Sequence, residues 1–266
     1  MRKSGLVLAV LITISGCSNS DPAPSPEATT AVASPSSGEA STTTTTGDGD
    51  LTCWAATPAA GTPAISFKDV TEETDLIRPL TGMFGHAAAW GDVDGDLDPD
   101  LLVGTFADRP QDRYAVRGAA EASPDRLLLN GGESFEIDGG LPETYGRTSG
   151  TVLVDLDADR DLDVILSRNV KDSQPEMAAT EIYENVGGSF AAAPSGIDAE
   201  LGGRSVGVLD YDGDGLLDLL ILEDRYRGGA SRLYRNVGDL RFEDATSAAG
   251  LPMDLAGLGV ATSDVD

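Results

Sequence analysis

Aspartate recurs at alternate positions in three stretches of this chain. They are Asp92-Val93-Asp94-Gly95-Asp96-Leu97-Asp98-Pro99-Asp100, Asp155-Leu156-Asp157-Ala158-Asp159-Arg160-Asp161-Leu162-Asp163 and Asp210-Tyr211-Asp212-Gly213-Asp214-Gly215-Leu216-Leu217-Asp218. Carboxylates this dense repel one another, and a hard divalent cation removes the repulsion. Ca²⁺ suits the pattern because it takes roughly six to eight oxygen ligands in a flexible shell. Side chains at positions 1, 3 and 5 of each run turn inward, the backbone carbonyl at position 7 adds a ligand, and position 9 closes the shell. The first site then consists of Asp92, Asp94, Asp96, the Asp98 carbonyl and Asp100. The second consists of Asp155, Asp157, Asp159, the Asp161 carbonyl and Asp163. The third consists of Asp210, Asp212, Asp214, the Leu216 carbonyl and Asp218. A fourth run opens at Asp264-Val265-Asp266, so up to three complete structural Ca²⁺ sites are expected.

An EF-hand shares positions 1, 3, 5 and 7 but needs a bidentate acid at position 12. Those positions are Val103, Leu166 and Ile221, all inside apolar runs, which excludes that motif. Position 6 is Gly215 in the third run, where a sharp turn favours positive φ, but Leu97 and Arg160 in the others. The cation on Arg160 opposes metal, making the second run the weakest of the three.

The first aspartates of successive runs are 63, 55 and 54 residues apart, and the flanks repeat in phase. A Gly/Ala-rich apolar stretch precedes each run: His86–Gly91, Gly150–Val154, Ser205–Leu209 and Gly259–Ser263. A fully apolar stretch follows each complete one: Leu101–Val103, Val164–Leu166 and Leu219–Leu222. Then come Arg126–Asn130, Glu181–Asn185 and Arg232–Asn236, each followed by a Gly-containing hairpin signal and a short strand near Phe135, Phe190 or Phe242. The unit is four short strands with the acidic loop between the first and second. Such units repeated along a chain predict an all-β fold of β-propeller blades. Thr105–Pro124 and Ser167–Ala179 are longer connections placed on one rim.

These residues resemble the FG-GAP/VCBS repeats of integrin α-subunit heads, with Met83-Phe84-Gly85 matching the Phe-Gly part of the signature. More narrowly, the chain looks like the repeat region of acidic proteins carrying an ASPIC/UnbV module. The pieces are Phe67-Lys68-Asp69-Val70-Thr71 with Leu76, and Leu233 through Thr246 with Ala249-Gly250-Leu251. The resemblance does not extend to the module itself. The resemblance covers about residues 65 to 266. It implies a calcium-stabilised ring of about seven blades used in extracellular binding or adhesion, without a shared catalytic centre. On that expectation residues 51–266 hold about 3.5 blades of an expected seven, truncated in the fourth acidic loop.

Composition narrows the function. The chain has 266 residues, a formal net charge of −27, 5% aromatic residues, 32 Gly and one histidine, His86. Such charge disfavours nucleic-acid phosphates and anionic lipid as partners. A short basic start, an apolar run from Gly5 to Ser15 and Ile14-Ser15-Gly16-Cys17 resemble a lipoprotein leader. Residues 1–17 are therefore expected to direct export, with lipidation at Cys17. Residues 18–50 are Ser/Thr/Pro-rich, including Thr42–Thr46, and form a disordered stalk with an r.m.s. reach of about 30 Å. The pairing of Cys53 stays open.

Catalytic patterns are weak. Gly203-Arg204-Ser205-Val206-Gly207 matches a nucleophile elbow but lacks the strand–turn–helix context. His86 has no acid–base partner suggested by spacing. Arg109, Arg113 and Arg117 are the local basic candidates for a carbohydrate-active enzyme and are expected in a solvated loop. The expectation is a lipid-anchored, calcium-binding propeller on the outer face of the cell envelope. It recognises an extracellular protein or glycan without catalysis, and no nucleic acid. Alternatives are a polysaccharide lyase-like enzyme and a structural spacer.

Overall fold

Three apolar triplets in the sequence become the central strands of three sheets. The computed structural model describes residues 66–170, 177–199, 201–223 and 230–263. The first sheet has β1 (Gly85–Gly91), β2 (Asp100–Thr105), β3 (Arg126–Asn130) and β4 (Phe135–Ile137). The second has β5 (Thr148–Val154), β6 (Asp163–Arg168), β7 (Glu181–Val186) and β8 (Ser189–Ala192). The third has β9 (Gly203–Leu209), β10 (Asp218–Glu223), β11 (Arg232–Asn236) and β12 (Phe242–Asp244). Each is an antiparallel meander in chain order, four strands wide. The one helix among the described residues, α1 (Gln111–Val116), lies in the β2–β3 connection, where the sequence predicts only a loop. The fold is nearly all-β, and the sheets are the expected β-propeller blades.

Period-two alternation decides how the blades pack. Leu101 and Val103 of β2 join Met83, Leu128 and Phe135 on one face, while Leu102 faces the other way. Leu102 meets Val164 and Leu166 of β6, together with Leu127, Tyr183 and Phe190. Ile165, between those two β6 residues, points instead to Leu219, Ile221 and Tyr234 of the third sheet. A strand buried on both faces reads as an unbroken apolar run, which is why the triplets do not alternate. Burying each such side chain contributes about 1.5–3 kcal/mol.

The first strands β1, β5 and β9 are built of small residues because neighbouring sheets approach most closely there. A Cβ on Gly150 of β5 would lie 2.6 Å from the Arg204 carbonyl oxygen of β9. Residues 258–262 in turn lie along β9. Ser205 Oγ donates to the Leu258 carbonyl at 2.9 Å, and Thr262 Oγ1 donates to the Val208 carbonyl at 2.9 Å.

Two Phe-x-Asp-x-Thr segments fold alike. Thr71 N and Oγ1 both donate to Asp69 Oδ1, and Thr246 N and Oγ1 both donate to Asp244 Oδ1. Five residues beyond each threonine, Leu76 N and Leu251 N donate to the Thr71 and Thr246 carbonyls.

A buried ion-pair network joins the first two blades. Arg168, fully buried at the end of β6, pairs with Asp125 of the first blade at 2.9 Å and with Glu181 of its own. Thr148 Oγ1 donates to the same Asp125 at 2.7 Å and accepts from Arg168 Nε at 3.1 Å. Truncating one partner strands the others in a dry interior, which costs about 3–5 kcal/mol. Arg168→Ala should lower the urea-unfolding free energy by that amount. Arg78→Ala, at the exposed Asp75 pair, should leave it nearly unchanged because solvent screens that pair. Equal losses in urea titrations would mean that the network does not join the blades.

Candidate metal centre

Each acidic loop hangs between the end of one first strand and the start of the next, so its last aspartate opens a buried strand. Asp100, Asp163 and Asp218 are at most 1% exposed. Their carboxylates are held identically. One oxygen accepts the N–H of position 2: Val93 at 2.8 Å, Leu156 at 3.0 Å and Tyr211 at 2.9 Å. The other accepts the N–H of an asparagine at or next to the end of the third strand: Asn130 at 2.8 Å, Asn185 at 3.0 Å and Asn236 at 2.8 Å. Position 9 therefore staples loop to sheet.

The asparagine side chains complete the staple. Their Nδ2 groups donate to the position-8 carbonyls of Pro99, Leu162 and Leu217 at 3.1, 3.2 and 3.1 Å. Asn185 and Asn236 also reach the preceding blade, donating to the Val93 and Leu156 carbonyls at 3.1 and 2.9 Å. The sequence marks these residues only as hairpin signals.

The remaining carboxylates fold inward. In the first loop Asp92 Oδ1 accepts from Gly95 N and Asp96 N, and Asp92 Oδ2 accepts from Leu97 N. Candidate ligand oxygens of Asp92, Asp94 and Asp96 lie within 4.8 Å of one another, as do those of Asp155, Asp157 and Asp159. In the third loop the convergent set is Asp210, Asp212 and Asp218. The structure thus brings positions 1, 3 and 5 together in two loops, and positions 1, 3 and 9 in the third. The position-7 side chain of Asp161 turns away, accepting from Gly187 N at 3.3 Å. That leaves the carbonyl as the available group at position 7. Asp264, Asp266 and Cys17 lie outside the described residues.

Two backbone positions per loop are left-handed. Position 4 has φ of 80°, 65° and 75° at Gly95, Ala158 and Gly213. Position 6 has 76°, 85° and 89° at Leu97, Arg160 and Gly215. The sequence singles out position 6 alone, and only in the third loop. Leu97, Ala158 and Arg160 hold this conformation at a cost of about 1–2 kcal/mol each. Arg160 itself lines a cleft with Asp92, Asp94 and Gly95 of the first loop and Gly187 and Gly188 of its own blade.

Burial shifts the charges. Asp163 is pushed up to about 6, first by burial and then by Asp157 and Asp159, against the pull of the Asn185 and Leu156 amides. Asp100, Asp157 and Asp218 rise for the same leading reason. Since the folded value of Asp163 exceeds the unfolded value of about 3.9, its contribution is fully present below about pH 4 and is lost as pH rises through 6. At neutral pH these carboxylates need a positive partner. Asp155 Oδ1 shows the same need, being buried without any hydrogen-bond donor. An all-oxygen set with an orphaned buried carboxylate oxygen fits a hard cation and does not fit a soft one.

The third loop has found a partner within the protein. Arg235 of β11 places Nε 2.7 Å from Asp212 Oδ2 and Nη2 3.0 Å from Asp214 Oδ2. Asp214 is held low by the Leu216 amide and then by Arg235. The equivalent positions are Leu129 and Glu184, so this tethered cation belongs to the third loop. Ser205, the elbow residue, lies mid-strand in β9 with its hydroxyl on the Leu258 carbonyl.

Residues 155–221 and 210–266 match the family model for the FG-GAP-like repeat. The match supports placing the chain with FG-GAP repeat proteins. The first blade lies outside the matched residues and has the same strand order and loop. No curated protein matches the chain.

Arg235→Gln should raise the third loop's affinity for a divalent cation about fivefold, because the metal no longer displaces a tethered charge. The pair itself is screened by solvent, so its loss should leave the fold intact. Terbium luminescence titration of the variant beside the parent reads the difference, and an unchanged affinity would show that Arg235 does not compete.

Proposed function

We propose that this chain is a calcium-stabilised β-propeller exposed at the cell envelope, used for non-enzymatic recognition of a protein or glycan. The observation that carries the reading is the threefold, in-phase convergence of aspartate carboxylates at the ends of buried strands. The ion would be held by Asp92, Asp94 and Asp96 in the first loop, by Asp155, Asp157 and Asp159 in the second, and by Asp210, Asp212 and Asp218 in the third. Backbone carbonyls of Asp98, Asp161 and Leu216 supply further oxygens. The chemistry is charge neutralisation that locks each loop, and through position 9 each blade. Recognition falls to the connections at the blade rims, where loops from several blades converge.

Two finer readings belong to the same proposal. The paired Phe-x-Asp-x-Thr segments with leucine five residues on support kinship with the repeat region of ASPIC/UnbV proteins. The Ile14-Ser15-Gly16-Cys17 pattern and the polar stretch after it support export and lipid anchoring at Cys17.

Calcium should raise the melting temperature and a chelator should reverse the rise. At tenfold excess over Kd each site contributes about 1.4 kcal/mol, so three sites shift the transition by roughly 10 °C. Asp94→Asn together with Asp157→Asn should abolish most of that shift without unfolding the chain. A transition indifferent to calcium would remove the metal from the reading. Mass spectrometry of the protein from an expressing bacterium should find a diacylated or triacylated Cys17 as the mature N-terminus; an unmodified N-terminus elsewhere would remove the anchor.

A further inference from the structure

The chain carries a net charge of −27, and its basic groups are mostly consumed internally. Among the described residues, seven arginines and Lys68 have a carboxylate oxygen within 3.6 Å. Arg109, Arg113 and Arg117 have none, although carboxylates outnumber cations heavily. All three line one cleft of about 490 Å³, with Phe84 and Pro110 as its apolar wall. The sequence leaves this segment as a solvated loop, whereas the structure folds it and fastens it down.

The fastening is extensive. Tyr114 of α1 is buried, packs edge-on against Phe84 at 5.4 Å, and accepts the Arg109 N–H at 2.9 Å while its hydroxyl donates to the Phe106 carbonyl at 3.3 Å. The Arg117 guanidinium stacks 4.2 Å from the Phe84 centroid and donates to the Met83 carbonyl at 3.2 Å. Arg109 lies 5.8 Å from the same ring and 5.2 Å from Phe106. Stacking holds the plane of a guanidinium while leaving edge N–H groups available to an incoming acceptor. His86 feels the surrounding charge: its imidazole is held low by burial first, and then by Arg204, Arg147 and Arg109.

We propose that this cleft binds a compact acidic saccharide, carrying uronate carboxylates or sulfate esters, through Arg109, Arg113 and Arg117. Guanidinium forks match both groups bidentately. The volume suits a ligand of one or two sugar rings, whose C–H faces rest on Phe84 and Pro110. Large polyanions such as nucleic acid or an acidic protein meet the repulsion of the whole chain, which favours a compact anion. The cleft sits at the end of the blade opposite the acidic loops, separated from Asp92 by the length of β1, about 20 Å.

This names the ligand class of the recognition proposed above and rests on that reading. The test uses the 266-residue chain in calcium buffer, titrated calorimetrically with digalacturonate and with a sulfated disaccharide. Maltose and hexaglutamate are the neutral and peptide comparisons. A polygalacturonate arm distinguishes a chain end from a free saccharide. At least one acidic sugar should bind, weakening as salt rises. Arg113→Glu, at an exposed position, should weaken it tenfold or more with an unchanged circular dichroism spectrum, and Arg113→Lys should fall between. No heat with either acidic sugar, equal binding of maltose or hexaglutamate, or indifference to Arg113→Glu would each overturn the proposal. Calcium-dependent melting is read in the same samples. If it persists while the sugars fail, only the ligand assignment falls; if it is absent while the sugars bind, the calcium reading falls instead.

Discussion

A buried carboxylate at the ninth position of each acidic loop is the constraint on which the rest of this structure depends. Asp100, Asp163 and Asp218 sit in the interior, and a charge there is tolerable only with its oxygens satisfied. Each takes one amide from its own loop and one from the third strand of its sheet. That pair of bonds fixes where the loop closes and which residue of the third strand stands opposite it. A slip of one residue would swap the strand's two buried faces, sending Leu101 and Val103 toward the next blade and Leu102 away from it. The loop is thereby tethered at both ends, and its other aspartates have little choice but to face one another.

The asparagine opposite extends this constraint between blades. Asn185 and Asn236 use their amide hydrogens both within the sheet and on the Val93 and Leu156 carbonyls of the preceding one. Those carbonyls belong to position 2 of the neighbouring acidic loop. The geometry of one loop is thus transmitted to the next without passing through the apolar core. Apolar contact between sheets is larger in energy but not directional; these bonds set the register that the contact then stabilises.

Much of this was legible in the sequence, for identifiable reasons. The loops, the four-strand unit and the apolar triplets each follow from local spacing, and each appears where expected. The asparagines were read as turn residues because their second role depends on a partner about 80 to 90 residues away. Arg235 escaped for the same reason, since only β-sheet pairing brings it beside Asp212 and Asp214. The positive φ at Leu97, Ala158 and Arg160 could not be inferred from residue type, because none of them prefers it. Helix α1 is six residues long, too short for a hydrophobic period to declare itself. Its arginines become a cleft only because Tyr114 and Phe84 lock it against the first blade.

The resulting molecule separates its charges along the blade. Acidic loops lie at the end where first strands finish, and the three arginines of the cleft lie where β1 starts. A simple field argument would couple the two ends, since each divalent ion bound to a loop removes negative charge that an anion at the cleft would feel. Distance decides otherwise. About 20 Å of strand separates them, more than twice the screening length of about 8 Å at physiological salt, and the intervening surface is wet. Direct electrostatic coupling is therefore weak, and any influence of the loops on the cleft must travel mechanically, through strand register. The route exists in the bonds described: β1 begins beside Phe84, ends at Gly91 next to Asp92, and pairs with β2 apart from a bulge at His86, and the first residue of β2 is the stapled Asp100. Order imposed on the acidic loop is order imposed on the strand that carries the wall of the cleft.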